Sequence, residues 1–244
     1  MKTIDNLTVD TIRVLSAEGV QAANSGHPGM PMGAAAMAYA LWSKHLKFNP
    51  SNPDWIDRDR FVLSAGHMAP VQYSTLARAG YFPTEELNSL RKFGSRLQGH
   101  PGLDMHLPGI ETSSGSLGQG VSIAVGMAMS DWIIDKNDRK VICITGDGEL
   151  QEGASWEAAM AAGSHKLSNF CWIVDNNDCQ IDGRVKDILS VYPLKEKFES
   201  FNFDVIEIDG HDFNQIEFAL QKARSTYGKP TVLVANTTPG KGVS

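Results

Sequence analysis

The sequence has 244 residues, 42% of them hydrophobic and 20% charged, with a formal net charge of −6. That length supports one large α/β domain with a sizeable core, and the composition leaves little room for long disorder. A net-negative chain lacks the clustered Lys and Arg that displace phosphate counterions, which argues against a general nucleic-acid surface; a small anion held by backbone amides stays open.

In chain order, the residues from Met1 to Val20 alternate polar and apolar at helical spacing and include Asp5, Asp10, Arg13 and Glu18, so they are neither a signal peptide nor a membrane span. A strand is predicted over Arg60–Leu63. The stretch from Gly80 to Ser116 is poor in strand pattern and rich in Gly, Pro and His, which in a compact domain marks a functional loop. Helical period follows over Gly120–Asp135, Ala154–Ala162 and Phe213–Arg224, interleaved with strands at Val141–Thr145, Phe170–Val174, Val205–Ile208 and Thr231–Ala235. Several strands are apolar almost throughout, as strands buried on both faces are. The alternation predicts an α/β fold, a doubly wound parallel sheet with helices on both faces. Asp212 and Gln215 are spaced as a capping box for the last helix, with Gly228 and Pro230 ending it. No repeat or linker divides the chain, so one domain over residues 1–244 is expected. Of the three cysteines, Cys143 and Cys171 lie in buried strands and Cys179 does not, which predicts a reduced, cytoplasmic thiol state.

The strand Val141–Thr145 runs directly into Gly146-Asp147-Gly148-Glu149. This is the carboxyl end of a parallel strand, where open α/β sheets place ligands. Glycines let the backbone approach an anion, and a following helix N-terminus would present amides to a phosphate. A carboxylate there makes sense with a divalent cation between it and the ligand. The next strand ends in Asp175-Asn176-Asn177-Asp178-Cys179-Gln180-Ile181-Asp182-Gly183, and neighbouring parallel strands bring the two turns side by side. Asp147, Asn177 and one backbone carbonyl then supply hard oxygens to Mg²⁺, whose shell phosphate and water complete. Either turn alone is common; together they resemble the signature of thiamine-diphosphate enzymes.

Further motifs resemble those of the transketolase family over nearly the whole chain: Ser25-Gly26-His27-Pro28-Gly29, Leu63-Ser64-Ala65-Gly66-His67, Gly99-His100-Pro101, Thr112 through Gly120, Gly146 through Gly153, and Ile208-Asp209-Gly210-His211-Asp212. The resemblance implies Asp147 and Asn177 as side-chain ligands and the Cys179 carbonyl as the third ligand of Mg²⁺, with Ca²⁺ or Mn²⁺ as substitutes. It implies that Gly146 and Gly148 cradle the diphosphate of thiamine diphosphate, that Ile181 packs on the thiazolium, and that Gly115 and Leu117 contact the aminopyrimidine. His27, His67 and His100 match the histidines of the substrate channel, with His67 also on the diphosphate, a task imidazole suits because it exchanges protons near neutral pH. His45, His106, His165 and His211 match no such role. Two departures stand out: Gly102 where the family usually has Glu, and Ser116 where many members have Pro, a less rigid choice.

The implied activity is transfer of a two-carbon ketol unit from a ketose (phosphate) donor to an aldose (phosphate) acceptor. The family's activating glutamate lies on a pyrimidine-binding domain, and no such domain is read before Ser244. The expectation is therefore the N-terminal subunit of a split transketolase. Its partner would be a C-terminal subunit with the pyrimidine-binding domain, in a heterotetramer of two copies of each chain, acting on a sugar phosphate without nucleic acid or membrane. Glu152 falls where the family places an acidic residue facing the activating glutamate, and the stretches Gly120–Met129 and Gly153–Ala162 are the expected contact surfaces. A fragment of a single-chain transketolase, a related ketol transferase and a non-catalytic binding or regulatory module are the alternatives.

Overall fold

A computed structural model of the protein describes residues 3–137 and 139–243. Met1 and Lys2 of the first helical-period segment, and Ser244, lie outside the described residues. The elements in chain order are α1 (Ile4–Ala23), α2 (Gly29–Ala40), β1 (Arg60–Leu63), α3 (Ala69–Arg78), α4 (Gln119–Met129), β2 (Val141–Gly146), α5 (Gly153–Ser164) and β3 (Phe170–Asn176). Then come α6 (Val185–Ile188), α7 (Leu194–Ser200), β4 (Asp204–Asp209), α8 (Phe213–Ser225) and β5 (Thr231–Asn236).

The five strands form one parallel sheet in the order β1-β2-β3-β5-β4. Side chains alternate across a pleated strand, so each apolar strand feeds two cores. Ile142, Ile144, Ile173, Ile206 and Leu233 pack with buried residues of α1, α2, α3 and α8. Val141, Cys143, Trp172, Val174 and Val232 pack on the opposite face with residues of α4, α5 and α7. The sheet is thus covered on both faces, as the apolar strand runs predict. Strand β4, at an edge, alternates instead, exposing Glu207 and Asp209 while burying Ile206 and Ile208.

Local differences from the sequence reading have identifiable causes. The helix predicted over Gly120–Asp135 is α-helical only to Met129 and then widens into a π turn over Ser130–Ile134, where Asp131 is buried against Arg139. Asp212 caps α8 as expected, accepting the amides of Asn214 and Gln215. The Gln215 side chain turns back to the cap as well, donating through Nε2 to Asp212 Oδ2 at 3.2 Å, while its Oε1 accepts the Asp209 amide and not that of Asp212. Helix α8 ends at Ser225, ahead of Gly228, with Thr226 already extended. In the turn after β2, Asp147 accepts the Gly148 amide and starts a short 3₁₀ turn over Gly148–Gln151, which separates the turn from α5; α5 itself begins at Gly153, as the helical period over Ala154–Ala162 predicts.

Register decides what the sheet presents at its carboxyl edge. Leu63 pairs with Ile144, Gly146 with Asp175, and Asn176 with Asn236, so the segments following β1, β2, β3 and β5 emerge side by side. A parallel sheet builds ligand sites along this edge.

Candidate cofactor and metal site

Asp147 and Asn177 follow β2 and β3 and are both buried. Asp147 Oδ2 accepts the Asp178 amide at 2.7 Å, which pulls the second turn onto the first. Asn177 donates through Nδ2 to Asp175 Oδ2 at 2.7 Å, and its Oδ1 accepts the Cys179 amide at 2.9 Å. The amide orientation is thereby fixed, with the oxygen available on the side of Cys179. Asp175 is also held by the Thr237 hydroxyl at 2.5 Å, which ties the segment after β5 to the same cluster.

This donor set fits a hard divalent cation. Among the described residues no three His, Cys, Asp or Glu side chains converge as a metal cage; instead one carboxylate, of Asp147, and one amide oxygen, of Asn177, are held by successive backbone amides of the same turn, those of Asp178 and Cys179. Mg²⁺ accepts such a set because it keeps waters and phosphate oxygens in its shell. Asp147 and Asp175 are buried carboxylates, and neither forms an ion pair with Lys or Arg among the described residues. Burial raises both, Asp175 to about 7 and Asp147 in the same direction, against the hydrogen bonds that lower them. A divalent cation bound here would supply a counter-charge. The two turns pack closely: a Cβ on Gly148 would lie 3.1 Å from Gln180 Cβ and 3.5 Å from the Cys179 carbonyl oxygen, so glycine permits the approach. The Gly148 amide itself is engaged with Asp147 Oδ1 at 3.0 Å. Ile181 projects from the second turn at 91% exposure, and the Cys179 side chain is also exposed.

The predicted histidines gather at the neighbouring end of the edge. The rings of His27 and His67 meet edge to face, 5.1 Å between centroids. Burial, reinforced by His27 and His100, lowers His67 to about 4, and burial, Arg91 and His27 lower His100. His67 is thus a neutral imidazole near pH 7, able to donate or accept according to its tautomer. Its Nε2 lies 2.9 Å from Met30 Sδ. The His100 ring packs on Gly115, since a Cβ built there would stand 3.2 Å from two of its atoms, and Gly115 has φ +144°. Gly66 meets Gly115 so closely that a Cβ on Gly66 would lie 2.8 Å from the Gly115 amide nitrogen. Leu117 follows, half-buried, on the same loop.

Three site residues carry no role in the sequence reading. Glu149 is buried and accepts both the Ser64 hydroxyl and, at 2.8 Å, the Gly118 amide, while Ser64 accepts the Val121 amide. It therefore joins the segment after β1 to the loop carrying Gly115 and Leu117. Burial raises it to about 7, and its Oε2 has no hydrogen-bond partner among the described residues. Its place inside the Gly-Asp-Gly-Glu turn was the only signal. Tyr192, before α7, reaches back so that its hydroxyl lies 3.1 Å from Asp147 Oδ2, and nothing in its local sequence marks it. Asp175 was visible only as the residue closing a strand. The other histidines lie elsewhere: His45 pairs with Glu217, His211 accepts the Thr238 amide, and His106 and His165 are exposed.

A parallel α/β sheet with a buried carboxylate and a buried amide oxygen on neighbouring turns of its carboxyl edge has the architecture of a cofactor-binding domain. The family profile described as "Transketolase, thiamine diphosphate binding domain" matches residues 4–244. The chain belongs to that family. It is 42% identical to a transketolase of Halalkalibacterium halodurans over 252 residues, covering 99% of this chain and 37% of that protein. It is likewise 42% identical to a Bacillus subtilis transketolase over 253 residues, covering 99% and 38%. The solved transketolase of Campylobacter jejuni superposes with a TM-score of 0.92 at 42% identity, covering 99% of this chain and 39% of that one. For transketolase from Leishmania mexicana the TM-score is 0.94 at 38% identity, with 100% and 38% coverage. The chain thus spans less than two-fifths of the length of these relatives. Among the described residues no helix is long and apolar enough to cross a membrane.

Proposed function

We propose that this chain forms, as one domain, the diphosphate and Mg²⁺ half of a transketolase-type enzyme. That enzyme moves a two-carbon ketol unit from a ketose phosphate to an aldose phosphate in the cytoplasm. The observation that carries the reading is the Asp147 carboxylate, buried without a cationic side-chain partner among the described residues and bonded to the turn that carries Asn177 and Cys179, on the same sheet edge as the three histidines. Asp147, Asn177 and the Cys179 carbonyl hold Mg²⁺, and Gly146 and Gly148 cradle the diphosphate. Thiamine diphosphate, when bound, supplies the carbon nucleophile that accepts the ketol unit.

The chain's own residues then bind and move protons. His67, kept neutral by burial, hydrogen-bonds the diphosphate side of the pocket, while His27 and His100 exchange protons with sugar hydroxyl and carbonyl oxygens. Gly115 offers its backbone and Leu117 its side chain to the aminopyrimidine, and Ile181 packs against the thiazolium. A pyrimidine-binding domain on a separate C-terminal chain covers the other face of the ring, two copies of each making a heterotetramer. The outer faces of α4 and α5, which expose Ile123 and Met160, dock that partner, with Glu152 at the edge of the contact.

The test is ketol transfer between a ketose phosphate and an aldose phosphate at saturating Mg²⁺ and thiamine diphosphate, with the chain alone and with the partner added. Turnover is expected only in the mixture and is expected to vanish with Asp147→Ala. Full turnover from the chain alone would refute the need for a separate partner. A mixture that binds cofactor but transfers no ketol unit would refute the reaction.

A further inference from the structure

Arg91 stands at the histidine end of the carboxyl edge, outside every motif of the sequence. It is half-buried and makes no ion pair with a carboxylate among the described residues. Its guanidinium instead lies against Gly99, the residue before His100: a Cβ built on Gly99 would stand 2.6–2.9 Å from Nε, Cζ and Nη2 of Arg91. Three atoms of the planar group at nearly one distance set its face on the Gly99 backbone, a contact that a side chain at this position would push away. Nη1 donates to Ser25 Oγ at 2.7 Å, two residues ahead of His27. One side chain thus touches the segments that carry both His27 and His100.

The arginine is itself fixed. Its backbone is left-handed, with φ +57°, a conformation that a residue with a side chain keeps only where its surroundings impose it. Its amide donates at 2.8 Å to the carbonyl of Leu97, which is fully buried. The Tyr73 hydroxyl, from α3, donates to the Gln98 carbonyl at 3.0 Å. The loop from Arg91 to Gln98 is therefore closed on itself and tied to the core, and the guanidinium returns across it onto Gly99. A planar guanidinium suits this place, since it packs through its face while donating from its rim, which a compact ammonium does not do.

We propose that Arg91 is a positioning residue for His100: packed on Gly99 and bonded to Ser25, it sets the His100 imidazole against the Gly115 loop and at a fixed separation from His27. The proposal rests on the reading of His100 as a group that exchanges protons with substrate oxygens. Charge acts in the same sense as packing. Burial, then Arg91 and His27, lower His100, so its imidazole stays neutral and able to accept a proton at lower pH than a free side chain. The ionisable groups facing it are Arg91 on its own segment, His27 ahead of α2 and His67 after β1, while the Gly115 loop meets its ring with backbone.

Arg91→Met, His100→Ala and the double variant test this through ketol-transfer turnover of the assembled enzyme at saturating Mg²⁺ and thiamine diphosphate, with NMR titration of the His100 imidazole and thermal unfolding of the full chain. Arg91→Met keeps a long apolar stem and removes the charge and the bond to Ser25. Its kcat/KM is expected to fall at least ~10-fold, the lower end of what a displaced acid–base group costs, with unfolding unaltered. The His100 midpoint is expected to rise, and the acid limb of the turnover profile to move to higher pH with it. In the His100→Ala background the same substitution should cost less than about threefold, because a residue that acts through His100 has nothing left to act on. Arg91→Lys, which keeps the charge without the planar face, should recover the midpoint and only part of the turnover. If Arg91→Met leaves midpoint and turnover at wild-type values, or costs the same with and without His100, the assignment to Arg91 is wrong and the reading of His100 stands. If His100→Ala itself keeps full turnover, the reading of His100 fails and the role of Arg91 falls with it.

Discussion

The two ends of the carboxyl edge are held by different physics. At the metal end, Asp147 accepts the Gly148 and Asp178 amides, Asn177 accepts the Cys179 amide and donates to Asp175, and Asp175 also accepts the Thr237 hydroxyl. At the ring end, placement comes from close backbone approach: Gly66 against Gly115, Gly120 against Ser64, and His100 on Gly115. A single buried carboxylate, Glu149, stitches that end together. A hydrogen-bonded cluster tolerates loss of one member because the others still define the geometry. A sterically built junction has no such redundancy, since one added methyl displaces two loops at once. The difference suits the tasks, because a small cation needs donors fixed in position and a flat ring needs surfaces at fixed spacing.

The contrast is broken most severely by Gly66→Ala. Its Cβ would lie 2.8–2.9 Å from backbone atoms of Ser114 and Gly115, which cannot give way as a flexible side chain can. A loss of about 3 kcal/mol or more in urea unfolding is expected, with cofactor binding lost even where the fold survives. A variant of wild-type stability and affinity would show that the junction is pliable. Glu149→Ala leaves the Ser64 hydroxyl and Gly118 amide without their acceptor in a buried place, a cost of about 2–3 kcal/mol. Affinity for thiamine diphosphate should fall more than affinity for Mg²⁺, and an equal fall would remove the distinction between the ends.

The pH dependence of folding sharpens the same comparison. His67 titrates at about 4 in the folded chain against 6.5 for the free side chain, so the unfolded chain binds more protons between those values. Stability from this group is therefore full above pH 6.5 and is lost as pH falls toward 4, about 2 kcal/mol of it between pH 7 and pH 5. His67→Gln should flatten that part of the stability–pH curve, and an unchanged slope in the variant would assign the acid sensitivity to other groups. The smallest effect is expected at the hydrogen-bonded end. Thr237→Val removes one bond to Asp175 and should cost about 1.5 kcal/mol. Because Asp175 still holds Asn177, Mg²⁺ affinity should change less than threefold, roughly 0.6 kcal/mol. A tenfold loss would mean that this cluster has no redundancy after all.

The amino-acid sequence by itself determined the strands, because runs such as Val141–Thr145 and Phe170–Val174 are apolar on both faces and only a sheet covered on both sides satisfies that. It also placed Asp147 and Asn177 at strand ends, since Gly and Asn stop a strand locally and polar residues follow at once. What it left open depended on distances that sequence separation does not encode. The order β1-β2-β3-β5-β4 is set by packing among helices on two faces, and this order brings Thr237 to Asp175. The fit of Gly66 on Gly115 and of Glu149 on Ser64 arises only once the loop after β1 and the loop before α4 share the same edge. Tyr192 shows the limit most clearly: its neighbours in the chain say nothing of a ligand, and only the return of its segment onto the end of β2 places its hydroxyl on Asp147. Local periodicity fixes which faces of an element are apolar, but contacts between polar groups far apart in the chain are chosen by the tertiary packing that brings them together.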